Sequence, residues 1–318
     1  MEAEGFFRYN LAPPFVRNPS IVTHVLIVHN PVSGSGSMPL IDRVIAGLRL
    51  EGMTVDYYAT QAAGDATRYL LAYDGELDIV LAAGGDGTVN EVVNGLVDRD
   101  ASSYRLALIP TGTTNVLAKE LGISRNAVKI VRMIRDGATR LVYPGRINGR
   151  RFLLMAGVGY DAWVVDNVNL DLKKRVGKFA YILSMLKHLK LFGSKRYHLN
   201  IDGKEYQANS VVVTNGRYYG GSFVISRHAE LSHPKTQILM MSSQNPARFL
   251  LTLLALPFGM LERMPGIVSV SGEHIVITDS DHNEHNPEPV QADGDSLTQL
   301  PLEIRMESIA LNIIAPVR

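Results

Sequence analysis

Residues 78–95 of the chain read DIVLAAGGDGTVNEVVNG. The first six residues are almost wholly apolar, as expected of a strand in a parallel sheet that helices cover on both faces. The glycines Gly84, Gly85 and Gly87 allow a tight turn, and the residues from Thr88 onward have the spacing of a helix. The stretch therefore predicts a buried strand that passes through a glycine-rich turn directly into a helix.

The same succession of strand, turn and helix recurs on both sides of this stretch. Further strands are predicted at residues 21–28, 54–58 and 105–109, and further helices at residues 39–50, 65–73 and 115–121. Strands that alternate with helices at this spacing favour a layered α/β domain.

The pattern changes near Leu141. Beyond it come short runs bounded by glycine, proline or Asp-Gly, and Asp202-Gly203 is typical of a hairpin turn. We therefore expect a second domain that is mostly antiparallel, a β-sandwich. Two helices interrupt it, Arg175–Leu191 and Ala247–Leu261. The second is interpreted as a core helix of this domain, and the alternative is that Phe249–Leu261 line an acyl pocket. The expected division is a tail at 1–20, the α/β domain at 21–141, the β-sandwich at 142–305 and a closing segment at 306–318.

Composition and charge exclude several classes of function. The chain has 318 residues, enough for about two domains, and 46% of them are hydrophobic. Lys and Arg number 32 against 31 Asp and Glu, which excludes a nucleic-acid coat, so no nucleic-acid partner is expected. Without cysteine there is no disulfide framework, thiol nucleophile or cysteine-ligated zinc site. Neither a secretory signal nor an apolar run of about 20 residues is visible, which predicts a cytoplasmic chain.

The turn at residues 84–88 has the chemistry of an anion site. Its glycines let backbone amides face a phosphate, and the following helix directs its positive end to the same place. Asp86 repels phosphate and therefore fits a role toward Mg²⁺ or toward a hydroxyl of the substrate. The alternative is that Asp86 is only the N-cap of the helix.

Two further loops follow predicted strands. Residues 30–36 (Asn-Pro-Val-Ser-Gly-Ser-Gly) can form a second phosphate cradle, although they lack the Gly-Lys-Ser/Thr ending of a P-loop. The third loop spans Pro110 to Asn115. Because ligands of open α/β sheets bind at the carboxyl ends of the strands, we expect the three loops to meet there.

The motifs Asn-Pro-x-Ser-Gly from Asn30, Gly-Gly-Asp-Gly-Thr-x-x-Glu-x-x-Asn-Gly from Gly84 and Pro-x-Gly-Thr-x-Asn from Pro110 occur in this order. They are followed by Ala156–Ala162, Asn215–Gly221 and Ala292–Asp295. The set resembles the diacylglycerol kinase catalytic family, which includes bacterial lipid kinases and sphingosine kinases. The resemblance runs from about residue 21 to the end of the chain.

The resemblance implies an N-terminal nucleotide-binding α/β domain, a C-terminal β-sandwich and an active site in the cleft between them. It also implies that the closing segment returns to the first domain. By the resemblance, ATP contacts fall on Asn30, Pro31, Ser33, Gly34, Thr60, Gly85, Asp86, Gly87, Thr88, Asn90, Glu91 and Thr113.

The resemblance gives the general base to the late acidic motif, which is usually Asp-Gly-Glu in the family and is Asp293-Gly294-Asp295 here. The second acid is thus shorter by one methylene group. A carboxylate near the attacking hydroxyl is what phosphoryl transfer requires, so Asp293, Asp295 and Asp86 are the candidate catalytic residues. The alternative for this motif is a plain β-turn.

A second departure concerns metal binding. Where bacterial members often have paired aspartates that hold a structural Mg²⁺, this chain has Ser232-His233-Pro234. Because Mg²⁺ prefers anionic oxygen ligands, the structural metal site is predicted to be absent, while the Mg²⁺ carried by ATP remains, with Asp86 as one ligand considered.

The sequence also favours reversible contact with a membrane surface. Residues 172–201 contain eight Lys or Arg and no acid, and apolar residues within them share a helical face. Such a helix either lies on anionic membrane or is a solvated helix over the cleft.

The resulting hypothesis is an ATP- and Mg²⁺-dependent lipid kinase that acts on a membrane lipid, with diacylglycerol, giving phosphatidic acid, as the first choice. A sphingoid-base or other lipid kinase, an NAD kinase-like enzyme and a catalytically decayed nucleotide-binding regulator remain as alternatives. The oligomeric state stays open, with a homodimer as one option.

Overall fold

The computed structural model describes residues 22–34, 36–166, 195–243, 245–279 and 288–317. The predicted tail at 1–20 and the predicted basic helix Arg175–Leu191 lie outside these residues.

The first part of the chain folds around a six-stranded sheet, sheet one. Its strands are β1 (His24–His29), β2 (Thr54–Ala59), β3 (Ile79–Gly84), β4 (Arg105–Pro110), β5 (Thr139–Val142) and β20 (Leu311–Ile314). They lie in the order β2-β1-β3-β4-β20-β5, and all neighbours are parallel except β20 and β5. Sheet one therefore combines five strands from the first half of the chain with β20, which lies near its end.

Helices cover both faces of sheet one. They are α1 (Met38–Leu50), α2 (Asp65–Ala72), α3 (Asp86–Gly95), α4 (Val116–Leu121) and α5 (Ala127–Asp136). The chain runs from β1 outward to β2, and then back across β1 to β3 and on to β4. Right-handed crossovers in these two directions place α1 on one face and α2 and α3 on the other. All of β3 is buried, and so are Val25–Val28 of β1. Cover on both faces is the reason that these strands are continuously apolar.

The second part of the chain contains two six-stranded antiparallel sheets. Sheet two has the order β10-β9-β16-β19-β6-β7, formed by β6 (Gly145–Ile147), β7 (Arg150–Phe152), β9 (Tyr197–Ile201), β10 (Lys204–Ala208), β16 (His274–Asp279) and β19 (Leu302–Met306). Sheet three has the order β15-β14-β11-β8-β17-β18, formed by β8 (Met155–Gly159), β11 (Ser210–Thr214), β14 (Thr236–Met241), β15 (Ile267–Gly272), β17 (Pro289–Ala292) and β18 (Asp295–Gln299).

A shared apolar core joins sheets two and three. It includes Phe152 and Ile277 from sheet two and Val213 and Ile238 from sheet three, each at most 1% exposed. The predicted fold class, an α/β domain followed by an antiparallel β-sandwich, is therefore confirmed. Asp202 and Gly203 join β9 to β10 with positive φ angles of 48° and 83°, which confirms the predicted hairpin turn.

Smaller elements lie beside the sandwich. They are α6 (Tyr160–Asp166), the hairpin of β12 (Tyr218–Tyr219) and β13 (Phe223–Val224), α7 (Pro246–Ala255) and two 3₁₀ turns at Leu256–Phe258 and Leu261–Arg263.

The interpretation of α7 as a core helix is wrong for one of its faces. Phe249 and Ala255 are buried, but Leu251 is 57% and Leu254 67% exposed, and Phe258 in the following 3₁₀ turn is 72% exposed. The sequence did not reveal this face because α7 is apolar on both sides.

Candidate active site

Three loops meet at the carboxyl ends of β1, β3 and β4. Loop one (30–36) lies so close to loop three (110–115) that a Cβ on Gly34 would stand 2.1 Å from the carbonyl oxygen of Thr111. Loop three and loop two (84–88) also approach closely, since a Cβ on Gly112 would stand 2.6 Å from the Cα of Gly85. Glycine is thus required at both crossings, and the predicted meeting of the loops is found.

Side chains of loop one connect it to the other two loops. Asn30 donates from Nδ2 to Thr88 Oγ1 at 3.2 Å and accepts from the amide of Val32 at 3.1 Å, which turns the loop. Ser33 accepts a hydrogen bond of 3.3 Å from the hydroxyl of Thr111. Pro31 is exposed at the tip of this turn. The loops therefore form one polar surface rather than three separate turns.

Residues from other loops join this edge. Thr60 follows β2 and donates its amide to the carbonyl of His29, at the end of β1, at 2.8 Å. Gly87 lies in the first turn of α3, and Thr113 is exposed in loop three. The structure thus brings Thr60, Gly87 and Thr113 to the edge at which ATP contacts were predicted.

Asp86 does not cap the helix that it begins. Its carboxylate accepts from the amides of Val116 at 2.9 Å and Leu117 at 3.0 Å, the first residues of α4, while Gly85 occupies the N-cap of α3. Asp86 therefore caps a neighbouring helix instead of its own. Burial raises the pKa of Asp86, against the effect of these hydrogen bonds.

Glu91 and Asn90 also contact protein groups. Glu91 accepts from the amides of Gly64 at 2.8 Å and Ala66 at 3.3 Å, which caps α2. Asn90 donates to the carbonyl of Arg151 at 3.0 Å and to Asp293 Oδ2 at 2.8 Å. Their side chains thus hold the loop before α2 and the β-sandwich in place.

Asp293 is fully occupied by hydrogen bonds. Besides Asn90, its carboxylate accepts from the amides of Leu153, Leu154 and Met155 at 2.8–3.0 Å. Burial raises the pKa of Asp293, opposed by these donors. Because both oxygens are engaged, Asp293 is poorly suited to take a proton from a substrate.

Asp295 has the opposite surroundings. Its side chain is exposed, and within the described residues its carboxylate accepts no hydrogen bond. A Cβ on Gly87 would stand 3.3 Å from Asp295 Oδ2, so this carboxylate lies over the first turn of α3. Asp295 thus faces loop two from the β-sandwich, between the two parts of the chain.

One buried network of hydrogen bonds was not predicted from the sequence. Asp161 accepts from the hydroxyl of Tyr219 and from Gln291 Nε2 at 2.6 Å, and Gln291 accepts from the amide of Gly294 at 3.1 Å. Burial raises the pKa of Asp161. The network connects the hairpin β12–β13 to the turn that carries Asp295. Asp161 lies within a motif of the resemblance, but no pattern in the sequence pointed to Gln291.

Ser232 and His233 lie close to α4 and β5. Ser232 lines a cavity with Glu120, Arg140 and Glu230, and His233 pairs with Glu230 at 2.9 Å. In the described part of the chain, no group of three or more His, Asp or Glu residues has the arrangement of a metal site. The absence of a structural Mg²⁺ stays a prediction.

The fit of an ATP-bound Mg²⁺ depends on free oxygen ligands. Both carboxylate oxygens of Asp86 accept backbone hydrogen bonds, so Asp86 fits a direct ligand role poorly. Asp295 and the exposed hydroxyl of Thr113 offer hard oxygen ligands at the loops and fit the metal better.

Two family models match the chain in succession. The model described as the diacylglycerol kinase catalytic domain matches residues 24–147. The model described as the YegS C-terminal NAD kinase beta sandwich-like domain matches residues 155–315.

Similar proteins agree with these models. The diacylglycerol kinase of Bacillus subtilis (strain 168) is 32% identical over 229 residues, 70% of this chain and 75% of the relative. That of Staphylococcus carnosus (strain TM300) is 31% identical over 60% of this chain and 62% of its own length.

Solved structures show the same fold. A crystal structure of a putative diacylglycerol kinase from Bacillus anthracis str. Sterne has a TM-score of 0.76 and 24% identity, and covers 95% of this chain and 99% of that chain. A second from the same organism has a TM-score of 0.74 at 26% identity, over 92% of this chain and 97% of the other. No helix in the described part of this chain has the length and apolar character of a membrane span.

Proposed function

The chain belongs to the diacylglycerol kinase family and is therefore an ATP-dependent lipid kinase, and we propose that its acceptor is diacylglycerol, with phosphatidic acid as product. The choice of diacylglycerol is supported by the relatives named diacylglycerol kinase. The observation that carries the phosphoryl transfer is the carboxylate of Asp295, which is exposed, accepts no hydrogen bond within the described residues and faces Gly87 of loop two. It is the acidic side chain of the motifs best suited to act on a substrate.

The reaction follows from this arrangement. Loops one, two and three bind the triphosphate through backbone amides and the hydroxyls of Ser33 and Thr113, and the N-terminus of α3 adds its positive end. Asp295 accepts the proton of the lipid hydroxyl as its oxygen bonds to the γ-phosphorus. The bond from that phosphorus to the β–γ bridging oxygen breaks, and ADP leaves. Mg²⁺ bound with ATP would supply further charge neutralisation, and Thr113 is the side chain that would hold it while the carboxylate of Asp295 stays free to act as the base.

The test is transfer of labelled γ-phosphate to a panel of acceptors by the whole protein and by Asp295→Asn. We expect label in diacylglycerol and a loss of kcat of about 10²- to 10⁴-fold in the variant, with ATP binding retained. Asn is the matched change because it keeps the shape of the side chain and removes its basicity.

The panel also distinguishes the alternatives. Label in a sphingoid base or another lipid would change the substrate, whereas label in NAD would move the protein to the soluble-substrate kinases, whose sandwich domain lends its name to the second family model. ATP binding without transfer to any acceptor would favour a decayed regulator.

A further inference from the structure

The exposed side of α7 and its 3₁₀ turn carries a row of large apolar side chains. Leu251, Leu254 and Phe258 are spaced by three and four residues, so they follow one another along one side. They are 57%, 67% and 72% exposed, and Met260 beyond them is 44% exposed. We name these four residues the apolar face.

The helix that carries the apolar face packs against the protein on its other side. Behind it, Phe249 is 5% exposed and packs edge-on against Tyr160 of α6, with ring centroids 4.7 Å apart. Ala255 and Thr252 are buried as well. Grouped apolar side chains that a well-packed element holds toward solvent mark an interaction surface.

Among Arg227 and the described side chains of residues 249–263, the exposed charged groups are arginines. Arg263 is exposed in the second 3₁₀ turn, and Arg227 is exposed and donates to the carbonyl oxygen of Gly259 at 3.1 Å. The acid of this segment, Glu262, is half-buried and accepts from Ser226 Oγ at 2.6 Å and from the amide of Arg227 at 3.1 Å. A partner therefore meets apolar side chains next to guanidinium groups.

Packing connects the apolar face to the active site. A Cβ on Gly259 would lie 3.2 Å from Val224 of β13, and one on Gly221, in the same hairpin, would lie 3.8 Å from Thr114 of loop three. One short hairpin thus separates the apolar face from the nucleotide loops.

The helix α6 connects the helix that carries the apolar face to the turn that carries Asp295. Tyr160 at the start of α6 contacts α7, and Asp166 at its end accepts from Ser296 Oγ at 3.0 Å. Ser296 is the residue after Asp295, so α6 spans from the apolar face to the turn that carries the general base.

We propose that the apolar face docks the protein on the surface of an anionic lipid bilayer. Apolar side chains enter the boundary between headgroups and acyl chains, and Arg227 and Arg263 pair with anionic headgroups. The inference rests on the proposed lipid kinase function, since it explains how a lipid acceptor reaches the site. A bilayer is favoured over a second copy of the chain, because a symmetric contact would bring the arginines of both copies together without an exposed acid of this segment to pair with them.

The test compares binding to phosphatidylglycerol vesicles for the whole protein and for Leu254→Ser/Phe258→Ser. Both positions are exposed, so the variant keeps its fold. The matched control is Leu50→Ser/Leu71→Ser, at side chains 90% and 53% exposed on α1 and α2. We expect the first variant to lose at least about tenfold in vesicle affinity and the control to lose none. Arg263→Ser should weaken binding to phosphatidylglycerol but not the residual binding to phosphatidylcholine.

Activity measurements separate this proposal from the proposed function. With a short-chain diacylglycerol dispersed in water, the first variant should have the turnover rate of the wild type. With long-chain diacylglycerol in vesicles, its rate should be lower by about the factor lost in vesicle affinity.

Wild-type vesicle affinity in both double variants would overturn the docking surface and leave the proposed kinase function intact. A wild type that binds vesicles yet phosphorylates no lipid would overturn the function and leave the docking surface intact. A wild-type dimer that Leu254→Ser/Phe258→Ser makes monomeric, without vesicle binding by either, would show that a second copy covers the apolar face and overturn the proposal.

Discussion

Asp293 and Asp295 are two residues apart, yet one accepts four hydrogen bonds and the other accepts none within the described residues. The difference follows from the backbone: Asp293 has a positive φ of 51°, which turns its side chain toward the amides of β8 and the residues before it, while Asp295 begins β18 on the open side. Residue type alone therefore does not identify a catalytic acid, because a carboxylate serves equally well as an acceptor for backbone amides.

We expect Asp295→Glu to stay within about tenfold of the wild-type kcat. The side chain is exposed, so one additional methylene group meets no packed neighbour, and the motif then matches the Asp-Gly-Glu of the family. Initial rates with saturating diacylglycerol measure the effect, and Asp295→Asn is the inactive reference. A loss as large as that of Asn would contradict the role of Asp295 as a freely placed base.

His29 leads to a prediction about pH. Its ring is fully buried between Tyr57 OH at 2.7 Å and Ser37 Oγ at 3.2 Å, and burial lowers the pKa of His29 from 6.5. As the pH falls below 6.5, the unfolded chain therefore takes up a proton before the folded protein does, and the free energy of unfolding decreases by up to about 1.4 kcal/mol per pH unit.

His29→Gln removes this titration. In denaturant unfolding from pH 7.5 to pH 5, we expect the stability advantage of the wild type over the variant to shrink as the pH falls. A constant difference between the two proteins would show that His29 titrates alike in the folded and unfolded states.

At the level of elements, Asp86 shows how one helix depends on another. It stands at the start of α3, and its carboxylate caps α4 through Val116 and Leu117. We expect Asp86→Ala to lower the free energy of unfolding by about 1–2 kcal/mol, the usual cost of losing a helix cap. Thermal unfolding measures this.

Asp295→Ala is the matched control for the loss of a carboxylate without a cap. It should leave the unfolding temperature unchanged and abolish activity. Equal stability of Asp86→Ala and the wild type would mean that the hydrogen bonds to α4 contribute nothing net.

The elements also show what the sequence predicts well and what it does not. The strand and helix that meet at Gly84–Thr88 were predicted correctly because apolar runs and glycines are local signals. The helix α3 begins at Asp86, two residues before the predicted start at Thr88. The sequence did not indicate this start, because the carboxylate of Asp86 binds α4, about thirty residues further along the chain. The exposed side of α7 was missed because hydrophobicity does not say which face of an apolar helix another element covers.

At the level of the whole molecule, hydrogen bonds across the two parts of the chain hold the active site together. Asn90 of α3 reaches both Arg151 and Asp293. Arg151 makes paired hydrogen bonds of 2.7 Å and 2.8 Å with Glu307, and these hydrogen bonds keep the pKa of Glu307 low although burial opposes them. The sequence predicted two domains and a cleft, but not these contacts, because residues as far apart as Asn90 and Asp293 give no local pattern.

The contact between Asn90 and Asp293 connects α3 to the turn that carries Asp295. In the proposed mechanism the loops bind ATP on one side of this contact, and Asp295, the proposed base, follows Asp293 on the other side, so the contact would fix the distance between nucleotide and base. We expect Asn90→Ala and Asp293→Asn each to reduce kcat more than the affinity for ATP, since the loops themselves stay intact.

In a double-mutant cycle, the two changes should be coupled by about 1–3 kcal/mol in the free energy of unfolding, with the double variant less destabilised than the sum of the single variants. Asn90→Ala paired with Leu50→Ser provides the uncoupled reference. Additive effects of Asn90→Ala and Asp293→Asn would mean that the hydrogen bond between them does not hold the two parts of the chain, and that Asp295 owes its position to the backbone of β17 and β18 instead.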